Sequence, residues 1–162
     1  DESAGGDFAA VAQMIAADPS CVTLRDRRGQ TACHLAAWYG HSQVVSVLLQ
    51  SDPTVLRAQD HTKQTPAHLA AWNGHIETLH LIKVHDPQTL VTPNLFGSTP
   101  AHSAAMGGCE QAMTLLCEMC PVLWTLRNDQ GALPQDICQQ NGYAGDDETL
   151  AVLGGMGALK CS

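Results

Sequence analysis

The sequence predicts an all-α solenoid, built from stacked helix-turn-helix units with hairpin-like connecting loops. Three rulers, each with a 34-residue period, predict it. One links Thr31, Thr65 and Thr99, and with them His34, His68 and His102, and Gly40, Gly74 and Gly108. The second is Pro19, Pro53, Pro87 and Pro121, preceded by Asp18, Asp52, Asp86 and Cys120. The third is Asp26, Asp60, Asn94 and Asn128. Periods of 20–50 residues signify stacked supersecondary units that share one continuous core.

The line at residues 64–75, "QTPAHLAAWNGH", shows why each unit begins with a helix. Thr65 is a predicted N-cap, its hydroxyl placed to accept from a backbone N–H two or three residues on. Pro66 follows at the first helical position, where a missing N–H costs nothing. Gly74 supplies the left-handed residue that ends the helix. A second helix is expected from about His75, with Ile76, Leu79, Leu81 and Ile82 on one broad apolar face. In the preceding unit Val44, Val45, Val47, Leu48 and Leu49 take that role. Asp-Pro stops this helix, because a residue before proline avoids the helical region. Between units, Val22, Leu56, Leu90 and Trp124 recur at one phase and Leu24, Ala58, Thr92 and Leu126 at another. Their alternation predicts short extended arms around a polar turn such as "DRRGQ".

"T-P-x-H-x-A-A-x-x-G-H" resembles the ankyrin repeat, whose period is usually 33 residues. The extra residue of each unit is assigned to the connecting loop. The resemblance spans nearly the whole chain and implies a single ankyrin-repeat domain over residues 1–162. It divides into a partial first repeat (1–25), three repeats (26–59, 60–93 and 94–127) and a divergent C-terminal capping repeat (128–162). Gly6 aligns with Gly40, so residues 1–5 are expected to be the last turn of an otherwise missing helix. The given chain is then a candidate fragment of a longer protein. In the last unit Leu133 replaces Thr and Asp136 replaces His. The segment "NGYAGDDETLAVLGG" is read as part of a solenoid cap and "GGMGALKCS" as a frayed or loosely docked end. Asp146, Asp147 and Glu148 suit the start of a last helix, where negative charge complements the macrodipole.

Composition bounds the function. Sixteen acidic residues against eight Lys and Arg give a net charge of −8. That disfavours nucleic acid, which demands a basic surface. No apolar run is long enough for membrane insertion, and "DESAGGDF" has no signal-peptide character. Seven scattered cysteines, several at apolar positions, suggest reduced thiols and a cytoplasmic setting, with the nucleus also open. There is no nucleophile elbow, P-loop or dinucleotide fingerprint, so the chain is read as a non-enzyme without cofactor.

Two metal readings compete with structural ones. Stacking would place His34, His68 and His102 on the order of 10 Å apart, too far to share a zinc ion bound at about 2 Å. The resemblance implies that this His instead bonds the motif Thr and the neighbouring loop backbone. "CEMC", Cys117–Cys120, has half-site spacing but lacks a second pair. Cys117 also aligns with core Leu49. No metal site is therefore expected.

Trp38, Trp72 and Met106 share one phase, beside Tyr39, Asn73 and Gly107. The resemblance implies that this phase faces a concave, variable, partner-binding groove. Aromatic and Met anchors suit an interface core, although two indoles in register could also simply pack along each other. It further assigns hairpin tips to the groove: Arg25, Arg27, Arg28 and Gln30; Gln59, His61, Thr62 and Gln64; Pro93, Leu95, Phe96 and Ser98; and Arg127, Asp129, Gln130 and Ala132. The implied function is a monomeric scaffold that binds a protein or peptide partner. Its rivals are a regulatory module of a larger signalling enzyme or channel that binds its own chain, and a thiol-based redox or metal sensor.

Overall fold

The computed structural model describes residues 3–142 and contains eight α-helices among them. These are α1 (Ser3–Ala17), α2 (Ala32–Tyr39), α3 (Ser42–Ser51), α4 (Pro66–Asn73), α5 (Ile76–His85), α6 (Pro100–Gly107), α7 (Glu110–Met119) and α8 (Pro134–Gln140). Two rows result. Helices α2, α4, α6 and α8 pack side by side in one row, and α1, α3, α5 and α7 in the other. The core lies between the rows and runs unbroken along the stack from Ile15 to Cys138. Small residues allow the close approach within the first row: Ala36, Ala37, Ala70, Ala71, Ala104 and Ala105 are all buried. In the second row Val45, Leu48, Leu79, Ile82, Met113 and Leu116 point inward and are almost fully buried.

The predicted helix boundaries are found. Thr31, Thr65 and Thr99 are extended N-caps, and Gly40, Gly74 and Gly108 are left-handed C-caps with φ of 75°, 73° and 67°. The third ruler also acquires a cause. Oδ1 of Asp60 accepts from the N–H groups of Thr62 (2.8 Å) and Gln64 (2.9 Å) and closes the turn at each tip. Asp26, Asn94 and Asn128 do the same two and four residues on. Because it is stabilised by the Gln30 and Arg28 amides, the Asp26 carboxyl is held below the usual range.

Two expectations are corrected. The inter-unit segments form no strand among the described residues. Each Asp-Pro instead opens a single 3-10 turn: Pro19–Thr23, Pro53–Arg57, Pro87–Leu90 and, after Cys120, Pro121–Thr125. Proline presets the first φ, and Asp18 and Asp52 accept from the amides two residues on, at 3.0 and 2.8 Å. Val22, Leu56, Leu90 and Trp124 are buried because they lie on the inner side of these turns, whereas Leu24 is 67% exposed. Likewise, α1 runs unbroken through Gly6, so that glycine does not end a helix as Gly40 does. Of the segment read as a cap, Asn141 and Gly142 form the turn after α8; the rest of it, the frayed end, and Asp146, Asp147 and Glu148 lie from residue 143 onward, outside the described residues.

Candidate functional site: a fastened concave groove

The motif histidines fix one unit to the next. Nδ1 of His68 accepts from the Thr65 backbone N–H at 3.2 Å and lies 2.9 Å from its hydroxyl. An accepting Nδ1 carries no proton, so Nε2 carries it and donates to the Ser98 carbonyl, 2.8 Å away in the following unit. His34 and His102 repeat this with the carbonyls of Gln64 and Ala132, both at 3.0 Å. Both ring nitrogens of all three are thus engaged within the protein. Burial depresses all three pKa values, His68 to about 4. Asp60 opposes that depression at His68, and the neighbouring His102 and His34 add to it. Protonating Nδ1 would in addition set two donors, it and the Thr65 N–H, against each other. In the last unit Asp136 makes the backward bond, accepting from the Leu133 N–H at 2.8 Å.

Two further kinds of fastener cross the junctions, a tip bond at three of them and a helix-end bond at two. At the tips, the His61 amide donates to Arg28 O (2.9 Å), Leu95 to Thr62 O (2.8 Å) and Asp129 to Phe96 O (3.1 Å). At the helix ends, Nε2 of His75 bonds the Trp38 carbonyl at 2.8 Å, and the Cys109 thiol reaches the Trp72 carbonyl at 3.2 Å. The His75 ring sits so close over Gly40 that a Cβ there would meet it at 2.4 Å. Tips and helix ends are therefore held in a fixed relation.

Between them lies a groove of about 570 Å³. Its lining includes Arg27, Arg28, Gln30, Trp38, Tyr39, His61, Thr62, Gln64 and Phe96, all anticipated from the sequence. It also includes Leu35, Asp60 and Leu69, which were not anticipated. Leu35 stands one helical turn before Trp38, and that i, i+3 spacing was the available signal.

The other predicted residues sit elsewhere. Trp72 (37% exposed), Asn73, Leu95 (51%) and Met106 do not line this groove. Asn73 turns its amide onto Leu69 O of its own helix at 3.2 Å, and Met106 packs partly against the core. Trp38 and Trp72 do not stack: among the described residues the close ring pair is Tyr39–His41. Arg25 braces two units, its guanidinium donating to Gly29 O (2.8 Å) and Gln59 O (2.6 Å). Ser98 is buried.

The cysteines of "CEMC" separate in environment. Cys117 is buried in α7, its thiol pKa raised by burial and by Glu118, whereas Cys120 is half-buried at the helix end. Among the described residues no cluster of three or more His, Cys, Asp or Glu is arranged to hold a metal ion. None of the described helices is long and apolar enough to cross a membrane.

Paired helices in two rows, with tips beside the first row and a groove between them, define a helical repeat solenoid. The family model for ankyrin repeats (3 copies) matches residues 3–91, and the chain belongs to that family. Ankyrin repeats are in general protein–protein interaction modules and typically non-catalytic. A comparison with curated proteins gives no match.

Proposed function

We propose that the chain is a non-catalytic scaffold that takes a protein or peptide partner in the concave groove. The observation that carries this is the groove itself, where Trp38 (40% exposed), Tyr39 (65%) and Phe96 (59%) present apolar surface on a backbone fastened at tips and helix ends. Exposed apolar patches rimmed by polar groups mark interaction sites. A fastened backbone loses little conformational freedom on binding. We take the chain to be a monomer working in a reducing compartment, the cytoplasm or nucleus, a reading of the compartment supported by Cys33 and Cys138, which pack as buried apolar residues of the core. Affinity capture with matched variants tests the function. Trp38→Ala and Phe96→Ala should lose the captured partner, and Val84→Ala, on the outer row and 77% exposed, should keep it. Retention by both groove variants would sink the proposal.

A further inference from the structure

The charge of the chain is unevenly placed. Residues 25–30 and 59–64, the first two tips, hold Arg25, Arg27, Arg28 and Lys63, half of the eight Lys and Arg in the sequence. Their two acids, Asp26 and Asp60, turn Oδ1 inward onto tip amides. These tips therefore carry net positive charge in a chain of net −8. The described ion pair is Arg57–Asp86, elsewhere in the stack. Arg27 and Arg28 are exposed and stand in no ion pair among the described residues, and Arg25 spends its donors on carbonyls, which leave its charge unneutralised. At the third tip the character changes to Leu95 and Phe96, both more than half exposed. One groove thus joins guanidinium groups to an apolar wall of Leu35, Trp38, Leu69 and Phe96.

We infer that the partner is an acidic peptide segment, with carboxylates over the first two tips and a large apolar side chain against that wall. The inference rests on the binding function proposed above. Guanidinium forks pair with carboxylates in bidentate fashion, and charge complementarity steers encounter and sets register. Three tips about 10 Å apart span roughly 20 Å, which about six extended residues cover at ~3.3 Å each. The rest of the chain is net negative and disfavours acidic chains, so the patch also confers selectivity.

The test is selection from a displayed library of random peptides of about a dozen residues, with binders measured by fluorescence polarisation. Selected peptides should be rich in Asp and Glu and contain Leu, Phe or Trp. Arg27→Glu with Arg28→Glu should weaken them about tenfold or more, as should raising salt to about 0.5 M. Arg27→Lys with Arg28→Lys should retain most affinity. Circular dichroism should show both double variants folded, since neither side chain is packed in the core. Neutral or basic binders, abolished by Trp38→Ala yet indifferent to charge reversal, would overturn the acidic assignment while leaving the groove intact. Binders that survive both Trp38→Ala and Phe96→Ala would overturn the groove itself. A labelled single-stranded oligonucleotide competing at the same site would overturn the peptide class, and a selection that enriches nothing would overturn the inference.

Discussion

Replacing His68 by alanine removes one link between consecutive units. The Thr65 N–H and the Ser98 carbonyl lose their partner at a site where Thr65, His68 and Ser98 are all at least 97% buried. A buried orphaned group costs about 1–3 kcal/mol, so His68→Ala should lose roughly 2–4 kcal/mol at pH 7.5, a large share of an ordinary domain's 5–15 kcal/mol. The pH dependence is more discriminating. The folded pKa of His68, about 4, lies below its ordinary 6.5. As pH falls, the unfolded chain therefore takes up the proton first. Stability is complete above 6.5, is lost as pH falls from 6.5 towards 4, and levels off below. This residue alone should remove about 2 kcal/mol between pH 7.5 and 5. His34 and His102 titrate in both proteins and cancel. Urea unfolding followed by far-UV circular dichroism at the two pH values measures the difference. Wild type should lose about 2 kcal/mol more than His68→Ala on acidification. Equal losses in the two proteins would refute the picture of a neutral, doubly bonded imidazole.

Other outcomes follow from burial and contact. Trp124 is 3% exposed, so Trp124→Ala should cost about 3–5 kcal/mol in denaturant unfolding. Trp72→Ala, at a site 37% exposed, should cost about 1 kcal/mol or less in the same assay. Gly107→Ala would place Cβ 2.0 Å from the Trp72 carbonyl oxygen and should cost about 2–3 kcal/mol. Gly131 has open space around it but φ of +77°, so Gly131→Ala should show strain alone, about 1 kcal/mol; thermal melts rank the pair. EDTA should leave the melting temperature unchanged, because both nitrogens of His34, His68 and His102 are taken by protein groups.

The scaffold was readable because its rulers are chemical. Thr, His and Gly recur where a cap, an inter-unit bond and a left-handed residue are needed, and nothing else fills all three roles. The 3-10 turns were misread as extended arms. Alternation of buried Val22 with exposed Leu24 looks the same over three residues whether the chain is extended or tightly wound, and Asp-Pro was read only as a stop. The structure shows it is also a start. The groove was partly readable. Its tips follow from the register, but Leu35 and Leu69 are hidden in a motif that otherwise marks the core. Arg25 was read as a partner contact. Its use on Gly29 O and Gln59 O depends on a neighbouring unit's backbone, which no residue pattern displays.

The account turns on which face meets the partner, and site-specific photo-crosslinking asks that directly. A benzophenone side chain at Tyr39 (65% exposed) reports on the groove, and one at Val84 (77% exposed) on the outer row, at comparable accessibility. The account predicts partner crosslinks from position 39 and none from position 84. Crosslinks from position 84 alone would contradict it and place the binding surface on the other side of the stack.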